Sequence, residues 1–546
     1  MSASKAEWWR GAVIYQIYPR SFLDTNADGV GDLKGVFAAL DYIADLGVDG
    51  VWLSPFFTSP MKDFGYDVAD YCDVDPVFGV LSDFDAVLGK ARQLGLKIII
   101  DQVYSHTSDA HPWFQESRQN KHNPKADWYV WADPQPDGSP PTNWQSVFGG
   151  GAWAWDSRRR QYYLHNFLAS QPDLNLHNDA VQNALLNVAR FWLDRGVDGF
   201  RLDALNFAMH DPKLRDNPPA PVTDKPPERP FDYQRHLYNR SHPDIPLFLE
   251  RLRTVTEEYE GVFTVAEVVG PEPLAEMKAF TEGNARLHSA YNFTFLYADQ
   301  LTAKLTIDAV GAWGDNPNEG WPSWAFSNHD APRVVSRWTD GAQASQAAKL
   351  FAMILLSLRG NAFLYQGEEL GLPQADVPFA LLQDPEAIAN WPLTLGRDGA
   401  RTPMPWRSEV PNAGFSESAP WLPVDPGHAA LSVETQKTDP NSVLHFVRQI
   451  IALRKRRPEL RLGDIQFIEN ADGLLAYYRT LQDKRALCVF NITEKQVRWS
   501  PPLNDRFSVI AQADAAPQDN GPPSTLAPYS GYLAIADKKT ITNTKN

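Results

Sequence analysis

The chain has 546 residues, 43% hydrophobic and 22% charged, enough to bury a large core in more than one folded unit. Its formal net charge of −16 argues against nucleic acid or an anionic membrane as partner, and no apolar run reaches the ~20 residues of a membrane span. Two cysteines, Cys72 and Cys488, fit a reducing compartment. The start, MSASKAEWWRG, lacks a basic stretch followed by an apolar one, so the expected location is cytoplasmic.

Short β-type runs alternate with longer helical ones. The runs are VIYQIY (13–18), GVWLS (50–54), KIIIDQV (97–103), DGFRLD (198–203), FTVAE (263–267), LHSAYNF (287–293), SWAFSN (323–328) and NAFLYQG (361–367). Between them lie amphipathic stretches such as LKGVFAALDYIADLG (33–47) and VQNALLNVARFWLDRG (181–196). Eight strands with helical crossovers predict a closed (β/α)8 TIM barrel of class α/β over 1–103 and 178–463. Residues 104–177, rich in Trp, Pro and Gly, are expected to form an inserted subdomain after the third strand. The segment 205–246, with NPPAPVTDKPPERP at 217–230, reads as a mobile loop near the site mouth. From 464 the pattern changes to short β runs, which predicts a C-terminal antiparallel β-sandwich domain over 464–546.

Three acids, Asp203, Glu267 and Asp330, end the segments GVDGFRLDA, GVFTVAEVVG and PSWAFSNHD. The carboxyl ends of barrel strands converge on one face, so these acids can meet there. Arg201 and Asp203 share a strand face, and the guanidinium is expected to keep Asp203 ionised, as a nucleophile at an anomeric carbon requires. Glu267 follows an apolar run, which would raise its pKa and let it act as a general acid. Such a pair suits retaining glycoside hydrolysis. Singly, each motif has a plainer reading: a structural ion pair, a helix-start residue, a turn. Their joint occurrence in order is what carries weight.

In that arrangement the chain resembles an α-glucosidase of glycoside hydrolase family 13, the α-amylase family, in its oligo-1,6-glucosidase branch. The matching motifs are DQVYSH (101–106), GFRLDA (199–204), AEVV (266–269) and SNHD (327–330), with QPDLN (171–175) typical of the branch. The match runs from YQIYPRSF near the N-terminus to RTPMPW at 401–406. The resemblance implies Asp203 as nucleophile, Glu267 as acid/base and Asp330 as the residue gripping the sugar hydroxyls. It implies that His106, Arg201 and His329 contact the nonreducing glucose or orient the nucleophile, with Tyr66 as stacking platform. Asp63 and Arg401 resemble a charged pair that caps the glucose in exo-acting members. Ala204, after the nucleophile, goes with α-1,4 preference, where Val goes with α-1,6. Phe148 and Phe167 either wall the pocket or belong to the subdomain core.

The run DTNADGVGD (24–32) spaces Asp24, Asn26, Asp28, the Val30 carbonyl and Asp32 like the start of an EF-hand loop, although its twelfth position is Gly35. A structural Ca²⁺ or Mg²⁺ is expected there, and no organic cofactor. Ser105 stands where many family members carry an Asn that binds an interdomain Ca²⁺, so that ion is not carried over. The expected partner is a small oligosaccharide or glucoside, with neither nucleic acid nor membrane, and the protein a monomer or homodimer. Alternatives are an oligo-1,6-glucosidase, a sucrose-acting hydrolase or glucosyltransferase, and, in another class, an inactive amylase-like binding protein.

Overall fold

Eight short strands are buried along almost their whole length because each is covered on both faces, by the barrel interior and by a surrounding helix. They are β1 (Val13–Ile17), β2 (Gly50–Leu53), β3 (Lys97–Val103), β4 (Gly199–Asp203), β5 (Phe263–Val268), β6 (Ser289–Asn292), β7 (Trp321–Ala325) and β8 (Asn361–Tyr365). The computed structural model describes residues 7–222, 226, 227, 229–313, 320–394, 396–469, 473–500, 507–514 and 521–536. All eight strands are parallel and pair in chain order, and β8 returns to β1 to close the barrel. Gln16 pairs with Trp52 on one side and Tyr365 on the other.

Helices α1 (Leu33–Leu46), α2 (Leu81–Gln93), α3 (Asp179–Arg195), α4 (Ile245–Thr256), α5 (Pro273–Thr281), α6 (Ala303–Gly311), α7 (Ala344–Ser357) and α8 (Val443–Arg456) follow in chain order. Their apolar stripes and the outward faces of the strands form one continuous core. A smaller cluster inside the barrel, with Ile14, Trp52, Ile99, Phe263 and Phe363, plugs it. Gly199 decides how closely β4 approaches β5. A Cβ there would lie 2.0 Å from the Phe263 carbonyl oxygen, so only glycine permits the contact. The register pairs Ala266 with Leu202, which brings Glu267 and Asp203 to the same level on adjacent strands.

Between β3 and α3 the insertion forms a three-stranded antiparallel sheet from Trp131–Ala132, Trp153–Asp156 and Gln161–Leu164. It carries its own apolar cluster around Trp144, Trp153 and Leu164. The described parts of the segment after β4 dock onto this insertion. Trp144 Nε1 donates to the Arg215 carbonyl at 2.8 Å, and Asn143 exchanges bonds with Asp216 and Asn217. Residues 223–225 and 228 of the proline-rich run lie outside the described residues. The seventh strand also departs from expectation. It spans 321–325, not 323–328, so SNHD belongs to the loop that follows it.

At the C-terminus, β9 (Asp464–Phe467), β10 (Leu474–Leu481), β11 (Lys484–Asn491), β12 (Phe507–Gln512) and β13 (Ser530–Ala536) form an antiparallel sheet in the order β9-β10-β11-β13-β12. One face packs on α7, where the Ser357 and Tyr477 hydroxyls lie 2.8 Å apart. The other is faced by a short ladder, Val497–Arg498 with Thr525–Leu526, around Trp499. Among the described residues no helix is long and apolar enough to cross a membrane.

Candidate active site

The carboxyl ends of the strands deliver the predicted acids to one cavity. Asp203, Glu267, Asp330, Asp63, Tyr66, His106, Phe148, Phe167 and Ala204 all line it. Arg201 lies beneath it, fully buried, and its guanidinium organises the floor. One terminal nitrogen donates to Asp203 Oδ1 at 2.5 Å and to Asp101 Oδ1 at 2.7 Å. The other donates to Glu267 Oε1 and to the Tyr291 hydroxyl. Glu267 accepts two further bonds, from the Ala204 amide at 3.0 Å and from Tyr291 at 3.1 Å.

This corrects the expectation that Arg201 serves Asp203 alone. Three carboxylates share one cation, so no single acid receives the whole of its field. Burial dominates and pushes both Asp203 and Glu267 up to about 7, with Arg201 opposing in each case. Burial likewise raises Asp101 to about 6 against the pull of Arg201. The cluster therefore retains a proton near neutral pH, and it titrates as a unit. The apolar run before Glu267 is not what raises it, because its carboxylate sits among donors and is shifted by desolvation.

Asp330 is the opposite case. Burial pushes it up, but His329, Arg401 and Arg397 outweigh burial and hold it well below the usual carboxylate range. Arg401 donates to Asp330 Oδ1 at 2.8 Å and to the His329 carbonyl at 2.7 Å. Gln16 Nε2 donates to His329 Nδ1 at 2.8 Å, which leaves the ring proton on Nε2, 3.2 Å from Asp330 Oδ2. Burial lowers His329 to about 3 and His106 to about 4, so both stay neutral hydrogen-bonding groups. His106 Nε2 donates to the Tyr66 carbonyl at 3.1 Å. The Tyr66 ring stacks on His329, with 5.3 Å between centroids and 3° between planes.

The expected cap forms with a different arginine. Asp63 Oδ1 accepts from Arg397 Nη2 at 2.9 Å, while Arg401 reaches Asp330. The single turn Asp398–Arg401 explains the exchange: Arg397 caps its start and Arg401 ends it, so both guanidiniums turn to the same side. Asp384 braces Arg397 at 2.8 Å, and Gln171 holds the other oxygen of Asp63 at 3.0 Å. Phe148 and Phe167 are wall residues, 5.8 Å apart edge to face, and Arg397 lies 5.0 Å over Phe148.

Sequence reasoning missed Arg397, Asp101, Arg229 and Glu386, and the apolar wall of Phe207, Phe231, Val269 and Phe293. Asp101 was legible as the first residue of DQVYSH, and Arg397 as the residue one turn before Arg401. Arg229 and Glu386 carry no local signal. They meet at 2.8 Å only because two distant loops close over the same cavity.

In the loop 24–32 every predicted ligand residue supplies hard oxygen. Asp24 accepts from the amides of Asn26, Ala27 and Gly29, and Asp28 from that of Val30. Asp32 caps α1 through the Gly35 amide at 2.7 Å and also holds Thr25. Among the described residues no Lys or Arg forms an ion pair with Asp24, Asp28 or Asp32. The donor set thus fits a hard divalent cation, although closing on one ion requires Asp32 to turn from Thr25.

Residues 16–463 match the family model described as alpha amylase, catalytic domain. A protein of Rhizobium meliloti named probable alpha-glucosidase is 52% identical over 505 residues, covering 91% of each chain. The oligo-1,6-glucosidase of Parageobacillus thermoglucosidasius is 36% identical over 527 residues, covering 89% of this chain and 91% of its own. The crystal structure of an alpha-glucosyl transfer enzyme, XgtA, superposes with a TM-score of 0.92 at 50% identity, covering 97% of this chain and 100% of that one. With the closed barrel, the convergent acids and these likenesses together, the chain belongs to the alpha-amylase family.

Proposed function

We propose that the protein is an exo-acting, retaining α-glucosidase that removes α-glucose from the nonreducing end of short α-1,4-linked glucosides such as maltose. The observation that carries this reading is the grip of Arg201 on Asp203 and Glu267, on adjoining strands, at the floor of one cavity. Asp203 attacks C1 as the glycosidic C–O bond breaks, and Glu267 gives its proton to the leaving oxygen. In the second step Glu267 takes a proton from water, whose oxygen attacks C1 and releases Asp203, so configuration is retained. Asp330, held anionic, accepts from sugar hydroxyls. The Asp63–Arg397 pair, with Asp384 behind it, closes the pocket at the terminal 4-hydroxyl and supports exo action.

Another hydroxyl can replace water in the second step. The apolar wall of Phe207, Phe231, Val269 and Phe293 supports alcohols and sugars as such acceptors. The oligo-1,6-glucosidase name of one relative and the glucosyl transfer title of a structural neighbour favour a second reading, with isomaltose or sucrose as donor. A product time course on maltose, isomaltose and sucrose, with the anomer read by proton NMR, tests both. Initial α-glucose and fastest turnover of maltose are expected, and initial β-glucose would overturn the retaining scheme.

The loop 24–32 would hold Ca²⁺ or Mg²⁺ through Asp24, Asn26, Asp28, the Val30 carbonyl and Asp32, and the ion would stiffen the link from β1 to α1 without touching substrate. The free thiols of Cys72 and Cys488 support a cytoplasmic location.

A further inference from the structure

His177, His242 and Asp244 come from two separate stretches of chain and offer one potential ligand atom each within 4.8 Å of one another. His177 lies at the end of the insertion, just before α3. His242 and Asp244 lie at the end of the long segment after β4, just before α4. Neither the sugar cavity nor the loop 24–32 includes any of the three. We propose that they form a second metal site, for a late first-row divalent cation such as Zn²⁺. The ion would fasten the insertion to the segment that carries Phe231 and Arg240 into the cavity.

The donor chemistry selects this class of ion. Imidazole nitrogen suits Zn²⁺, Cu²⁺ and Ni²⁺, whereas the all-oxygen loop 24–32 suits Ca²⁺ or Mg²⁺. Zn–N bonds of about 2.0–2.1 Å at tetrahedral angles put ligand atoms about 3.3 Å apart, so the present spacing needs only side-chain turns. Those turns are open to two of the groups: the His242 side chain is 18% exposed and that of Asp244 53%. A histidine ligand is usually oriented by a bond from its other ring nitrogen. Here His177 Nε2 donates to the His210 carbonyl at 2.8 Å, which fixes the tautomer and leaves Nδ1 as the lone-pair donor. The His177 and His242 rings meet at 4.9 Å and 88°, and His177 meets His210 at 5.2 Å.

The surroundings favour a cation. Burial and the neighbouring His177 lower His242, so its ring is neutral and able to coordinate, while Asp244 and Asp211 supply negative charge. Three protein ligands leave a fourth position for water. The site would be structural, because none of its residues reaches the reacting carboxylates.

The test uses the full-length protein stripped by a chelator and then titrated with Co²⁺ and Zn²⁺. We expect Co²⁺ to bind with the intense visible d–d absorption of a low-coordinate, nitrogen-containing site. An all-oxygen octahedral site in loop 24–32 would absorb only weakly. Zn²⁺ should displace the Co²⁺ band and raise Tm. H242A should weaken Zn²⁺ binding by more than about tenfold and abolish the band while leaving the metal-free Tm unchanged. D244N, which keeps volume, should weaken it in the same direction. An unaltered band in both variants, or no intense band in the native protein, overturns the proposal.

Discussion

Arg397 Nη2 lies 2.9 Å from Asp63 Oδ1, joining residues 334 positions apart in the chain. Each is nearly buried, and Asp384 supplies a second carboxylate to the same guanidinium. Replacing Arg397 with Met should lower kcat/KM on maltose by roughly 10–100-fold, the weight of a buried charged hydrogen bond. Replacing Arg401 with Met should act instead through Asp330 and lower its affinity for sugar hydroxyls. Steady-state kinetics on maltose combined with D63N separates them. D63N and R397M should be non-additive with each other, and D63N and R401M closer to additive.

Asp203→Asn should cost about 10⁴-fold or more in kcat, as loss of a covalent nucleophile does. Glu267→Gln should cost about 10²–10⁴-fold on maltose. On an activated aryl glucoside, whose leaving group needs no proton, the first step should be spared. Pre-steady-state release of the aryl group, set beside maltose turnover, checks both assignments.

The raised Asp203 and Glu267 make two pH predictions. Activity needs the cluster to hold one proton, so kcat/KM should fall as pH rises past about 7, where Glu267 loses it. Stability follows the same protons. Between pH ~4 and ~7 the native state retains protons that the unfolded chain has released, so unfolding free energy falls as pH rises through that window. The neutral variant E267Q should therefore raise Tm by about 2 °C or more at pH 8. The gain should vanish near pH 4, where both forms are protonated. Calorimetry at the two pH values reads the difference.

Ala204 sits at φ +40° with its amide on Glu267, a left-handed conformation that a β-branched side chain adopts poorly. Ala204→Val should lower the maltose rate by about tenfold or more and raise the isomaltose-to-maltose rate ratio. Initial rates on the two disaccharides report it.

Chelator treatment should lower Tm, and added Ca²⁺ or Mg²⁺ should restore it while kcat on maltose changes little. Asp28→Asn should remove most of that metal response. A chelator effect that survives D28N would direct attention to the His177–His242–Asp244 cluster instead.

Much of this architecture was written locally. Period-two and period-3.6 patterns, glycine stops and strand-end acids are properties of short stretches, and they sufficed for the barrel, the insertion, the later β-rich part and the catalytic trio. The end of β7 was misread because Phe326 and Ser327 continue the β-type pattern past the point where barrel pairing stops. Partnership among charges was beyond local reading altogether. Which arginine meets Asp63, and how many acids share Arg201, depend on where loops hundreds of residues apart come to rest. Burial then alters the ionisation of each acid by removing its water. A motif carries the chemical identity of its groups, while their pKa values and pairings arise only when the closed barrel sets the distances and the solvent exposure.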